Sequence, residues 1–391
     1  MKRLLLPALL LTTLTACTAA PAGTLPAAAP TPTPTSTPAP TAVPTPADAL
    51  TPEEKIGQLF IIRPDALDLT LPQETINDAK ADGVTMLTDA MRETLQAYPV
   101  GGICQFGKNI TDPEQLAQFN ADLQAASRTP LFIAVDEEGG AVARLANHPA
   151  FDLPQYESAA AVGASGDPAD AGAMGQTIGA YLKEYGFNMD FAPDADVNTN
   201  PDNPIIGTRA FSSDAATAAE MAAAAADGLR TSGILPTLKH FPGHGDTAED
   251  SHTALAVTYK TLDELQACEL LPFAADTGLH AVMVGHIAAP NVTGDGTPAT
   301  LSPQLVALIP DAENTLIVTD SLAMDAITAA YTPGEAAVQA LQAGCDVLLM
   351  PNSLPEAYAA VLEAVQNGTI SEERLDRSVN KILLYKQQFA S

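Results

Sequence analysis

Residues 131–140, L-F-I-A-V-D-E-E-G-G, carry five apolar residues straight into three carboxylates and a glycine pair. A short apolar run without polar alternation, stopped by turn residues, fits a strand buried on both faces. The polar groups fall where such a strand would reach solvent. The same grammar recurs along the chain, in runs at Leu59–Ile62, Val100–Cys104, Phe187–Phe191, Ile234–Leu238, Ala281–Gly285, Thr315–Thr319 and Asp346–Met350. With the quoted stretch that makes eight.

Between most runs lie helical patterns, at Asp112–Ala126, Asp167–Glu184, Ser213–Thr231, Leu262–Thr277 and Gly334–Ala343. A last helix is expected over Glu372–Gln388, with Leu375, Val379, Ile382 and Leu383 on one face. Buried strands alternating with helices mean a parallel sheet covered on both sides. Eight units in about 340 residues fit a single (β/α)8 barrel of the TIM type better than an open sheet. A doubly wound nucleotide binder would need a glycine-rich turn after its first strand, and neither G-x-G-x-x-G nor a P-loop is present.

The folded body is expected to span 49–391, opening at Thr51-Pro52-Glu53-Glu54 with Thr as N-cap, Pro at the first helical position and Glu at the third. Ahead of it, residues 18–48 are mostly Ala, Pro and Thr, a composition suited to an extended tether. Residues 1–17 have the form of an exported signal peptide: Lys2 and Arg3, an apolar run from Leu4 to Leu14, then Leu14-Thr15-Ala16-Cys17, which resembles a bacterial lipobox. The expectation is a protein carried out of the cytoplasm and lipid-anchored to the cell membrane through Cys17. The other three cysteines, Cys104, Cys268 and Cys345, imply no disulfide framework and are expected to be buried.

A formal net charge of −29, from 47 acidic and 18 basic residues, argues against nucleic acid as a partner and against docking on anionic lipid. With no Trp in the chain, a sugar site must use Phe, Tyr and hydrogen bonds. No cofactor is implied, and the body is expected to be monomeric.

A barrel places its chemistry after the strands, at their C-terminal ends. Polar groups fall there repeatedly: Asp136-Glu137-Glu138, Asp190 and Asp194, Lys239-His240, His286, and Asp320-Ser321. The stretch Lys239–His252, K-H-F-P-G-H-G-D-T-A-E-D-S-H, holds three of the six histidines on a backbone that Pro242, Gly243 and Gly245 keep from being helical. Asp250 and His252 can hydrogen-bond, the carboxylate fixing the imidazole tautomer, which suits a general acid/base. His240, His244 and His252 with Asp246 and Asp250 could instead ligate a metal. Lys239 beside them opposes that, and no metal is expected. Asp136 with Arg144, and Arg209 in G-T-R-A-F, suit the recognition of sugar hydroxyls.

These segments together resemble glycoside hydrolase family 3, in its β-N-acetylhexosaminidase branch. The resemblance is carried by V-D-E-E-G-G-A-V-A-R (135–144), G-F-N-M-D-F-A-P-D-A-D-V (186–197), G-T-R-A-F (207–211), K-H-F-P-G-H-G-D-T-A-E-D-S-H (239–252), I-V-T-D-S-L-A-M (317–324) and A-G-C-D-V-L-L-M-P (343–351), in the family's order. It implies Asp320 as nucleophile, His252 as acid/base with Asp250 as its dyad partner, and Asp136, Arg144, Arg209, Lys239 and His240 as binders of the non-reducing sugar.

The activity so implied is a retaining exo-β-N-acetylglucosaminidase acting on GlcNAc-terminated fragments of peptidoglycan or related amino sugars. Three alternatives stand beside it. One is a β-glucosidase or β-xylosidase of the same family, another a phosphorylase using phosphate as acceptor, and the third a lipoprotein that only binds cell-wall sugars. Two departures from the family pattern are Ala141, where Arg is more usual, and residues 63–98, which have the look of an acidic insertion.

Overall fold

The computed structural model describes residues 45–248 and 255–390. Eight strands form one parallel sheet: β1 (Phe60–Ile62), β2 (Gly102–Cys104), β3 (Phe132–Val135), β4 (Met189–Asp190), β5 (Leu235–Phe241), β6 (Ala281–Val284), β7 (Leu316–Thr319) and β8 (Leu348–Leu349). Each pairs in parallel with its sequence neighbours. The ring closes because β8 pairs with β1, Phe60 opposite Leu348, while Val347 bridges to Val318 of β7. The expected (β/α)8 barrel is the fold.

Every residue in these strands is buried, which is why they show no alternation. The apolar runs overstate some strands. At Phe187–Phe191 only Met189 and Asp190 join the ladder, the flanking Phe side chains being buried without it. β5 instead extends beyond its apolar run, so Lys239 and His240 lie within a strand. Its register against β6 shifts between Leu238 and Phe241.

The helical layer follows local chemistry. Thr51 accepts from the Glu54 N–H and Glu54 reaches back to the Thr51 N–H, the expected capping box. Helices Pro168–Glu184 and Ala215–Thr231 pack tightly because they meet through small residues: a Cβ on Gly175 would stand 2.1 Å from the Ala225 carbonyl oxygen. The stretch Leu262–Thr277 is two short helices, Leu262–Ala267 and Leu271–Ala275, broken where Cys268 leaves helical geometry. Cys268 is partly exposed there, unlike the buried Cys104 and Cys345. Residues 63–98 are no mere insertion, since they contain helix Asp89–Ala97, the connection between β1 and β2.

The last helix, Glu372–Phe389, lies across the N-terminal end of the barrel. Its Lys381 donates to the Ala312 and Thr315 carbonyls and pairs with Asp346 at 2.7 Å, and Tyr385 donates to the His280 and Asn314 carbonyls. Lys386 reaches Gln58 at 2.6 Å. Pro46–Ala49, at the end of the stretch expected to be tether, forms a turn whose Ala47 N–H bonds Asn380 of this helix. The barrel is thus stoppered at one end and open at the other.

Candidate active site

At the open end, a cleft is lined by residues at or just beyond the ends of the strands, among them Arg63, Phe106, Asp136, Lys239, Asp320 and Met350. Glu138, Arg144, Arg209, His240, His244 and Ser321 also line it. Of the residues singled out in sequence, Asp136, Arg144, Arg209, Lys239, His240 and Asp320 are therefore brought together. Asp250, Ser251 and His252 lie outside the described residues, as does Cys17.

Asp136 follows β3 directly. Gly139 and Gly140, with φ of +84° and +62°, then turn the chain back on itself, and Arg144 returns to within 3.6 Å of Asp136. A Cβ on Gly140 would meet Ser158 Cα at 2.9 Å. Glu137, buried at the same turn, accepts from the Arg144, Leu145 and Ala146 N–H groups and from the Tyr181 hydroxyl. It holds the returning strand and so positions Arg144. Asp190 accepts from the Glu137 N–H at 2.9 Å, a supporting role one layer down.

Lys239, almost fully buried, stands between two carboxylates, 2.8 Å from Asp136 and 2.6 Å from Glu138. Burial opposes its charge, but Asp136 and Glu138 outweigh it and raise its pKa. Burial likewise works against Asp136 and Glu138, yet Lys239 with Arg144 and Arg209 holds both carboxyls below the usual range. Arg209 grips Glu138 with two parallel bonds of 2.8 and 2.7 Å, the fork geometry only Arg offers. Glu138 is thus part of the site, and its place in the D-E-E turn was the signal for it.

His240 hands its Nδ1 to Asp196 Oδ2 at 2.8 Å, and Asp196 Oδ1 accepts the His244 N–H at 2.5 Å. Burial lowers the His240 pKa, but the bond to Asp196 overrides it and the net shift is upward. With Nδ1 engaged, Nε2 stands 3.5 Å from Arg209 at the cleft. His244 is shifted down, by burial and by His240. Asp194 is shifted up by burial and by the charge of Asp196 beside it.

Asp320 follows β7 directly, half-buried, with Oδ1 accepting the Ser321 N–H at 2.7 Å. His286, fully buried, bonds the Ser321 carbonyl at 2.9 Å and Thr300 at 2.7 Å, fixing the turn that carries Asp320. The carboxylate lines a cleft that also holds Arg63, Arg144, Arg209 and Lys239, where it can attack an electrophilic carbon or stabilise a cation.

Asp194, Asp196 and His240 have ligand atoms within 4.8 Å of one another, a different set from the histidines weighed in sequence. Asp196 is occupied by His240 and His244, and Arg209 stands 3.6 Å from Asp194. Asp194 Oδ1 accepts the Asp196 N–H at 3.0 Å, while its buried Oδ2 makes no hydrogen bond.

Residues 51–384 match the family model described as the glycosyl hydrolase family 3 N terminal domain. A β-hexosaminidase A of Pseudoalteromonas piscicida is 32% identical over 335 residues, 78% of this chain and 56% of that protein. The β-hexosaminidase LpqI of Mycobacterium tuberculosis is 33% identical over 347 residues, 81% of this chain and 83% of its own length. A solved family 3 β-N-acetylglucosaminidase of Paenibacillus sp. superposes with a TM-score of 0.78 at 37% identity, over 87% of this chain and 63% of that one. The chain thus spans little more than half of the Pseudoalteromonas relative and under two thirds of the Paenibacillus structure.

Proposed function

The chain belongs to glycosyl hydrolase family 3, and from that premise we propose that it is a retaining exo-β-N-acetylglucosaminidase, removing terminal β-linked GlcNAc from peptidoglycan fragments or related amino sugars. The observation that carries this reading is the convergence of Asp320 with Lys239, His240, Arg209 and Asp136 on one cleft. Relatives named β-hexosaminidase at 32–33% identity support GlcNAc as the sugar.

In this mechanism the Asp320 carboxylate attacks the anomeric carbon as the glycosidic bond breaks, and His252 gives a proton to the departing oxygen. The product of that step is a glycosyl ester on Asp320. Water then attacks the same carbon, losing its proton to His252 and releasing Asp320. Asp250 orients the imidazole. Lys239, Arg209 and Asp136 hold the hydroxyls of the non-reducing sugar, and His240, fixed by Asp196, presents Nε2 to it.

Turnover of an aryl β-GlcNAc substrate in preference to aryl β-glucoside and β-xyloside is expected, with a loss on the order of a thousandfold or more in Asp320→Asn. Full activity in that variant would sink the assignment. Release of a sugar 1-phosphate only when phosphate is present would move the reading to a phosphorylase. For residues 1–48 we propose export and lipid attachment at Cys17, supported by the Leu14–Cys17 sequence; a mature N-terminus lacking a lipid-modified Cys17 would refute it.

A further inference from the structure

Asp194 is a buried carboxylate that the mechanism leaves unused. It follows β4, and its backbone bridges to Lys239 of β5. With Asp196 and His240 it forms a cluster whose polar atoms lie within 4.8 Å of one another. The two carboxylates are served unequally. Asp196 accepts from His240 Nδ1 at 2.8 Å, from the His240 N–H at 3.3 Å and from the His244 N–H at 2.5 Å. Among the described residues Asp194 accepts only the Asp196 N–H, and its Oδ2, without a hydrogen bond, lies 3.6 Å from Arg209 Nε. That Nε is given to Glu138.

The charges around it do not balance. Asp136, Glu138, Asp194 and Asp196 stand against three permanent cations, Arg144, Arg209 and Lys239, in one connected network. The other two charges of the cleft lining, Arg63 and Asp320, cancel in sum, and burial with His240 shifts His244 toward its neutral form. An uncompensated charge away from water is costly, and one proton removes it. Asp136 and Glu138 are held by Lys239 and the arginines, and Asp196 by three N–H groups, so none of these takes it. Two places remain, Asp194 Oδ2 and His240 Nε2. A proton on Nε2 meets the like charge of Arg209, whose Nη2 is 3.5 Å away, whereas a proton on Oδ2 relieves the repulsion between Asp194 and Asp196. Neither place wins outright. Burial and the charge of Asp196 push Asp194 up to about 7, and His240, opposed by burial but favoured more by Asp196, is also shifted upward.

We propose that Asp194 and His240 hold one proton between them, which makes Asp194 a positioning residue for the sugar: it decides whether His240 meets a substrate hydroxyl with an N–H or with a lone pair. The consequence for the sugar rests on the reading of this cleft as the sugar site; the shared proton does not. With the proton on Asp194, neutral His240 gives its Nδ1–H to Asp196 and offers Nε2 as an acceptor. With the proton on Nε2, the imidazolium donates, and its charge-assisted bond to a hydroxyl is the stronger of the two. A bound hydroxyl that favours one arrangement draws the proton to that side.

The test follows the His240 ring by NMR across pH in the full chain with isotope-labelled histidine, its signal assigned by its loss in His240→Gln. Groups that share a proton titrate together, so His240 is expected to charge in two steps. Asp194→Asn should remove the upper step and leave a single one about one unit lower. One step in the unsubstituted chain, which is read whether or not the variant folds, overturns the shared proton, and so does an unchanged curve in Asp194→Asn. In turnover of aryl β-GlcNAc the upper step should appear in KM rather than kcat and vanish from the Asp194→Asn profile. A KM profile that is the same in both chains overturns the positioning role. Absence of turnover in the unsubstituted chain marks failure of the function proposed above, while the NMR titration still decides the proton.

Discussion

Thr258 donates to Asp246 across the segment that follows β5, its hydroxyl 3.0 Å from Oδ2. Lys260 reinforces the tie, pairing with Asp246 at 3.3 Å and with the buried Glu269. Asp246 precedes Asp250 and His252 in the chain and Thr258 follows them, so the proposed acid/base is presented from a fastened base. Asp246→Ala should lower kcat on aryl β-GlcNAc about 10- to 100-fold, with a smaller effect on KM. Asp246→Asn keeps an acceptor for Thr258 and should fall less. A change confined to KM would contradict a positioning role.

Leaving-group dependence isolates the proton. His252→Ala should slow a glycoside with a poorly acidic aglycone on the order of 10²- to 10⁴-fold, while an activated nitrophenyl glycoside loses far less. Equal losses on both would remove His252 from the acid/base role and leave Asp320 in place.

Asp196 and His240 make a pH window for stability. His240 is raised in the fold, so its contribution is present below about pH 6.5, its unfolded value, and is lost as pH rises through the folded one. Asp196 is lowered, burial being outweighed by His240, so its contribution is present above about pH 4 and is lost as pH falls through the folded value. Asp196→Asn should therefore destabilise most between these limits, by about 3 kcal/mol. Urea unfolding at pH 5 and at pH 9 would show it, and a pH-independent difference would argue that the pair is uncharged.

Lys386 works in the opposite direction. Burial pulls its pKa down to about 7, with Gln58 and the Phe132 ring, 5.2 Å away, as its polar company. Between pH 7 and the unfolded value near 10.4 the unfolded chain holds a proton that the folded chain does not, so stability rises with pH there. Lys386→Met should gain about 2 kcal/mol at pH 6, after allowance for the donor that Gln58 Oε1 loses, and little above pH 10. Denaturation curves showing no gain at pH 6 would mean that the ammonium is compensated.

Much of this was legible from the chain because a buried strand has one simple signature and a barrel one simple rule about where chemistry goes. Asp136, Lys239, His240 and Asp320 all stood at the ends of apolar runs and all line the cleft. Arg63 obeys the same rule, immediately after Ile62 of β1, but it opens the acidic segment 63–98, which has the look of an insertion. Its nine-residue helix, Asp89–Ala97, is too short to announce itself by periodicity. Asp196 could not be chosen from sequence, since nothing local distinguishes it from Asp194. Only the packing of β5 against the turn after β4 decides which carboxylate meets His240.

The helix Glu372–Phe389 fastens the beginning of the body to its end: Ala47 to Asn380, Lys55 to Asp376 at 2.6 Å, and Gln58 to Lys386. Both termini of the barrel unit therefore emerge on the face away from the cleft. Chain added at either end would therefore leave from the side of the barrel opposite the cleft. The same fastening makes the eighteen-residue helix a support for the distant site: its removal is expected to uncover the stoppered end and destabilise the barrel that carries the cleft.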